Sequence, residues 1–250
     1  ILISQMSLCV IIPARYNSQR LPGKPILKIK NKELLLLTYE KIKKIFKEKD
    51  IFVFSESELL KNHFKNRIKN ILVFDNFFRN GTERAAFGIK KIKSKYNGAL
   101  IVSCDNPYIS KESINQTIAA FNSIKNDNSY CGSTIHVKNR DKDIFKDKNI
   151  AKVVLNKNSD IMYLSRSPIP NKLIKKKFFY THHGPVCIKV NFLKKYLMMK
   201  DTSLQIAEDN EWLKFIESGY KIKSFLVKKI LPEVNTLKDL QLYRNKKNDK

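Results

Sequence analysis

The sequence predicts an α/β fold organised around a doubly wound, mostly parallel sheet. Short, continuous apolar runs recur and end at turn residues, the pattern of strands buried on both faces. They alternate with segments of helical apolar spacing, which is the rhythm of a wound α/β sheet. The most chemically suggestive residues, Arg15 to Lys24 and Asp105, follow directly on predicted strands, where ligands bind in such sheets.

Leu8 to Ile12 is the first apolar run, closed by Pro13 and followed by a loop with Pro22, Gly23 and Pro25. The spacing of Leu34, Leu37, Ile42 and Ile45 predicts a helix over 33–46. Strands follow at 51–54, 71–74 and 99–103, with helices at 56–64, 83–96 and 113–121. Beyond residue 130 the pattern is less regular. Strands are expected at 133–137, 151–155, 161–164, 184–190 and 220–227, and helices at 191–199, 206–218 and 236–244. Residues 171–180 are basic and read as a loop. Gly and Pro are few (7 and 8), so no flexible interdomain linker is expected.

The 250 residues are 42% hydrophobic, enough for a sizeable core without staples. The 4 cysteines lack CxxC spacing and have no histidine at ligand spacing, a pattern that favours reduced, buried thiols over zinc or a disulfide framework. No apolar run reaches a membrane span, and Ile1 to Gln5 lacks the basic and apolar regions of a secretory signal, so a cytoplasmic protein without a membrane partner is expected. The net charge of +26 admits two readings, a surface for nucleic acid or anionic membrane, or lysine as the default surface residue. Lysines are scattered through every segment and no aromatic-interleaved stripe gathers them, which favours the second reading and no nucleic-acid partner.

The loop after the first strand holds Arg15, Arg20 and Lys24 within ten residues, with Gly23 beside Lys24. Cations around a Gly-containing turn after a buried strand can surround a triphosphate, helped by backbone N–H groups and a helix N-terminus. The pattern is not a Walker loop. From charge alone, a solvated basic loop is the competing reading.

The stretch Ile11-Ile12-Pro13-Ala14-Arg15-Tyr16-Asn17-Ser18-Gln19-Arg20-Leu21-Pro22-Gly23-Lys24-Pro25 closely resembles the opening signature of the 3-deoxy-manno-octulosonate (Kdo) cytidylyltransferase family. Further segments match in order. Asn80-Gly81-Thr82-Glu83-Arg84 resembles the family's SGTER, and Ala151 to Val154 its VKVV. Tyr163 to Pro170 is similar to YFSRxPIP, His182-His183-Gly184 to the start of HLGIY, Ser203 to Ile222 to a Glu-bearing helix, and Val234 to Leu240 to GVDTPEDL.

The resemblance implies a nucleotide-diphospho-sugar transferase-like, Rossmann-like fold. It would be a single nucleotidyltransferase domain over 1–250, with 165–190 as a smaller β-rich insertion for dimerisation and the sugar side, in a homodimer. It implies an enzyme that transfers CMP from CTP to the anomeric hydroxyl of an acidic 2-keto-3-deoxy sugar such as Kdo. Pyrophosphate leaves, Mg²⁺ is the cofactor, and the product feeds lipopolysaccharide or another surface glycan.

It also implies roles. Arg15, Lys24 and Asp105 would be catalytic, and Ala14, Arg15, Ser18, Arg20, Lys24 and Arg84 would bind the nucleotide. Ser103, Arg166, His182, Glu208 and Glu211 would face the sugar, and Asp105 and Asn235 the metal. Alternatives stand beside several of these. Asp105 could cap the helix near Ser110, and Arg166 could sit in a structural ion pair. His182 could be structural, and Glu208 and Glu211, i and i+3 on one helical turn, could form a solvated face.

Departures fall at the active site. Ser103-Cys104-Asp105-Asn106-Pro107 stands where the family has Gln-Gly-Asp-Glu-Pro, and Asn235 replaces the Asp of GVDTPEDL. An amide oxygen can coordinate Mg²⁺ but brings no charge. Phe77-Phe78-Arg79 lacks the His that precedes SGTER, and Pro185 and Val186 replace Ile and Tyr of HLGIY. A homologue with a different sugar or reduced activity is therefore the alternative within the family. A basic nucleic-acid-binding protein is the alternative outside it.

Overall fold

A computed structural model describes residues 7–18, 20–93, 95–171, 178–182, 184–229 and 233–245. The chain divides into two compact units, the first holding the described residues up to Ser110 and from 233 onward, the second those from Lys111 to 229.

The first unit is built on parallel strands. Strand β1 (Leu8–Ala14) carries Val10, Ile11 and Ile12 with no exposed surface. Short strands β2 (Lys28–Ile29) and β3 (Lys32–Glu33) form a hairpin that leads into α1 (Leu34–Lys43). Then come β4 (Ile51–Ser55), α2 (Glu58–Phe64), β5 (Ile71–Val73), α3 (Gly81–Ile89) and β6 (Gly98–Ile101). The order is β5-β4-β1-β6, all parallel, with Val10 opposite Ile51 and Leu8 opposite Gly98. Pro13 lies beyond the last β1–β6 partner, at Ile11 and Ile101, so its missing N–H costs no ladder bond there. Helix α3 starts earlier than its apolar spacing predicts because the Asn80 side chain caps it, accepting from Glu83 N–H at 2.8 Å. Gly81 allows close approach: a Cβ there would meet Pro13 Cγ at 3.2 Å.

The second unit opens with α4 (Lys111–Ser123) and the long strand β7 (Tyr130–Asn139). It continues through α5 (Lys142–Lys146), β8 (Ala151–Leu155), β9 (Ile161–Ser165), β10 (Phe179–His182), β11 (Val186–Lys189), α6 (Val190–Tyr196), α7 (Ser203–Ala207), α8 (Leu213–Glu217) and β12 (Lys221–Val227). Its strands run in the order β11-β7-β10-β8-β9 in antiparallel pairs, and β12 pairs with β7 in parallel. The strands are thus parallel in the first unit and largely antiparallel in the second. The last helix, α9 (Leu237–Asn245), belongs to the first unit.

Two expectations need correction. The stretch read as a loop over 171–180 ends in a strand: Phe179 and Tyr180 open β10, because pairing with β7 and β8 on both sides overrides their basic neighbourhood; residues 172–177 lie outside the described residues. The helix expected over 206–218 is two short helices. Asp209 between them has a left-handed φ of 46°, and the Asn210 side chain accepts Trp212 N–H at 3.1 Å. Glu208 and Glu211 therefore do not share a helical turn.

All four cysteines are buried and none is in a disulfide. Burial pushes the thiols of Cys9 and Cys104 up to about 12, which favours their neutral form. Among the described residues no helix is long and apolar enough to cross a membrane.

Candidate active site

The first unit contains a cavity of about 330 Å³ at the carboxyl ends of its parallel strands, lined among others by Arg15, Ser18, Arg20, Lys24, Arg79 and Arg84. Five cations thus surround it, and Asp105 is the carboxylate in its wall. The loop of residues 15–24 is shaped by its own backbone. Tyr16 C=O accepts N–H groups from Ser18 and Gly23, each at 2.9 Å, and Gly23 takes a left-handed φ of 66° that lets the chain enter a 3-10 turn at Lys24. Leu21 anchors the loop in a cluster with Leu34, Val234, Leu240 and Tyr243.

Lys24 is 7% exposed, and its Nζ lies 2.6 Å from Asp105 Oδ2 and 3.3 Å from Asn235 Oδ1. Val234 N–H donates to the Asp105 carbonyl at 2.9 Å, which ties the C-terminal segment to the same point. The other carboxylate oxygen, Asp105 Oδ1, is buried with no hydrogen-bond partner. The helix-cap alternative for Asp105 does not hold, since its carboxylate is engaged by Lys24.

Arg84, 4% exposed, reaches the cavity from α3, whose N-terminal residues Asn80 and Gly81 also line it. Helix N-termini favour anions. Burial draws the Arg84 guanidinium below its ordinary value, against the pull of the Glu56 carboxylate 2.9 Å from Nη2. Arg84 Nε is buried without a hydrogen-bond partner. Arg15 lies over the Phe77 ring at 5.9 Å, and Arg79 Nε donates to Glu83 at 2.8 Å.

The cavity therefore brings together Arg15, Ser18, Arg20, Lys24, Arg84, Ser103 and Asp105. Ala14 is buried at the end of β1, and Asn235 reaches the group through Lys24. The sequence reading missed Arg79 and Glu56. Glu56 follows β4 as Asp105 follows β6, so the rule that singled out Asp105 could have found it.

Arg166, His182, Glu208 and Glu211 belong to the second unit. Arg166 Nη1 donates to the carbonyls of Lys148 and Asn149, at 3.4 and 3.3 Å. Glu208 accepts from Tyr163 Oη at 3.0 Å and Ser165 Oγ at 2.7 Å, which fixes β9 against the end of α7. The Thr134 hydroxyl donates to Pro185 C=O at 3.0 Å, so in its 2.8 Å contact with His182 the Nε2 is the donor. Glu211 lies half-buried in the turn between α7 and α8.

Among the described residues no cluster of three or more His, Cys, Asp or Glu could hold a metal. The unpartnered Asp105 Oδ1 and the Asn235 amide oxygen are nonetheless hard oxygen donors. They suit an Mg²⁺ that takes its remaining ligands from water and phosphate.

A cation-lined cavity at the carboxyl ends of parallel strands, beside a helix N-terminus, is the kind of site that takes a phosphate-bearing ligand such as a nucleotide. The family model described as cytidylyltransferase matches residues 9–230. Similar proteins include a 3-deoxy-manno-octulosonate cytidylyltransferase of Thermodesulfovibrio yellowstonii, 32% identical over 95% of this chain and 96% of that protein. One from Parabacteroides distasonis is 30% identical over 92% and 94%. Among solved structures, a CMP:2-keto-3-deoxy-manno-octonic acid synthetase complexed with CTP shares the fold, with a TM-score of 0.86 at 24% identity, covering 95% of this chain and 97% of that one. The chain belongs to the cytidylyltransferase family, within its 3-deoxy-manno-octulosonate branch, and is a nucleotidyltransferase.

Proposed function

We propose that this protein transfers CMP from CTP to the anomeric hydroxyl of Kdo and releases pyrophosphate. The observation that carries this reading is the buried Lys24–Asp105 pair inside the cation-lined cavity, beneath the loop of the family's opening signature. Arg15, Arg20, Lys24 and Arg84 hold the triphosphate and offset the charge that grows on the leaving pyrophosphate. The sugar oxygen bonds to the α-phosphorus, the bond to the β-phosphate oxygen breaks, and the hydroxyl proton leaves to solvent. The side chains position the reactants and contribute no covalent step.

Asp105 and Asn235 would hold Mg²⁺, which, when bound, screens phosphate charge and polarises the reacting phosphorus. Residues Arg166, His182, Glu208 and Glu211 are the sugar-side candidates. The enzyme works as a cytoplasmic homodimer, with 165–190 contributing to the dimer. Ser103 and Cys104 in the cavity wall, where the family pattern has Gln and Gly, favour a second reading in which the sugar is a relative of Kdo.

Pyrophosphate release from CTP and Mg²⁺ with a panel of Kdo, 8-amino-Kdo and sialic acid tests both. Turnover fastest with Kdo is expected. Preference for another acid moves the assignment to the second reading, and no release with any of them overturns both.

A further inference from the structure

The Tyr16 turn and Arg84 meet at one carboxylate, that of Glu56, the residue after β4. Glu56 Oε1 accepts Tyr16 N–H at 2.8 Å, and Oε2 lies 2.9 Å from Arg84 Nη2. Tyr16 C=O in turn gathers the N–H groups of Ser18 and Gly23. Glu56 thus sits behind two parts of the cavity wall, the loop and α3, without itself lining the cavity. A guanidinium as buried as Arg84 keeps its place at low cost only with a counter-charge. Glu56 supplies that charge on Nη2 and leaves Nε unpartnered beside the cavity.

We propose that Glu56 is a positioning residue for the triphosphate. It fixes the loop and Arg84 in their binding geometry before nucleotide arrives, so that little ordering remains to be done on binding. The inference rests on the reading of the cavity as the triphosphate site. Its sign separates it from simple electrostatics. A carboxylate next to a triphosphate repels it, so if charge alone mattered, removing Glu56 would tighten CTP binding. If Glu56 positions, removing it weakens binding.

Calorimetry of CTP with Mg²⁺ on the full chain decides between these. Glu56→Ala is expected to raise the CTP Kd by about tenfold or more. Glu56→Gln keeps an oxygen for Tyr16 N–H and is expected to cost only about threefold. In an Arg84→Ala background the Glu56→Gln change should have almost no further effect, because its remaining partner is Tyr16. Melting curves establish that each variant is folded; if Glu56→Ala is not, the Gln variant alone and in the Arg84→Ala background carries the test. Unchanged or tighter CTP binding in the folded Glu56 variants overturns the proposal, as does full additivity with Arg84→Ala. A parent chain that takes up no CTP overturns the triphosphate reading along with it, whereas a parent that binds beside indifferent variants overturns the role of Glu56 alone.

Discussion

Lys24 in the first unit and Lys152 in the second are both buried lysines, 7% and 0% exposed, yet their ammonium groups are treated differently. Lys152 Nζ donates to the carbonyls of Asp147, Ile150 and Arg166 at 2.7, 2.8 and 2.5 Å, which uses all three of its protons. Lys24 instead holds a carboxylate whose second oxygen has no partner. Among the described residues, Arg84 Nε and Asp105 Oδ1 are buried charged-group atoms with no partner, whereas Glu56 Oε2 has the Arg84 guanidinium at 2.9 Å; all three are in the first unit. Buried charge by itself therefore does not mark a binding site here. Buried charge left incompletely satisfied beside a cavity does, because that unmet capacity is available to a ligand.

The sharpest way to break the comparison is to remove each lysine. Lys24→Ala should raise the CTP Kd by about 100-fold and lower kcat/KM by about 1,000-fold, on the order of 4 kcal/mol. Arg15→Ala should do the same less severely. Calorimetry that finds either variant binding CTP as the parent does would end the assignment of the loop. Lys152→Met should leave the CTP Kd unchanged while lowering stability by about 3 kcal/mol, since three buried carbonyls lose their donor. A denaturant titration alongside calorimetry reads both, and a Lys152 variant that loses CTP affinity at unchanged stability would reverse the contrast.

The two units also differed in how far they could be read in advance. In the first, strands 8–12, 51–54 and 71–74 were legible because a parallel strand buried on both faces is written as an unbroken apolar run. The loop's cations stood out for the same local reason. In the second, β10 escaped notice because Phe179–His182 owes its strand to neighbours far away in sequence. The break at Asp209 escaped because one left-handed residue interrupts an otherwise acceptable helical pattern. Within the site, Arg15, Lys24 and Asp105 came from order along the chain. The pairing of Lys24 with Asn235 spans 211 positions and needed the fold. Arg166 and Glu208, expected on the sugar side, also brace backbone and β9, a role no motif spells out.

Acid sensitivity should follow the same division. His136 in β7 is 4% exposed, contacts Ser224 Oγ at 2.8 Å, and burial lowers its pKa from 6.5 to about 4. The folded state therefore favours the neutral ring. The stability this contributes is complete above about pH 6.5 and is lost as pH falls toward about 4, because the unfolded chain takes up a proton that the folded chain refuses. The loss is on the order of 3 kcal/mol across that window. His136→Gln should flatten this slope in denaturant titrations between pH 6.5 and 4, with the CTP Kd at neutral pH unaltered. An equally steep slope in the variant would assign the acid sensitivity to other groups.

The smallest expected effect lies where the chain departs from its family's pattern. Asn235→Asp would place a second carboxylate beside Lys24, whose Nζ is 3.3 Å from the present amide oxygen. Two consequences oppose each other. A second carboxylate strengthens the hold on Mg²⁺, by about 1 kcal/mol in a partly hydrated position, so half-saturation of turnover should need about fivefold less Mg²⁺. The same carboxylate competes with the triphosphate for Lys24, so CTP binding measured without metal should weaken by about twofold. Titrating turnover against Mg²⁺ and binding CTP in a chelator separate the two. A lower Mg²⁺ requirement with weaker metal-free binding makes Asn235 a site at which this protein exchanged metal affinity for a less constrained Lys24. A Mg²⁺ titration identical to the parent's would remove Asn235 from the proposed metal site.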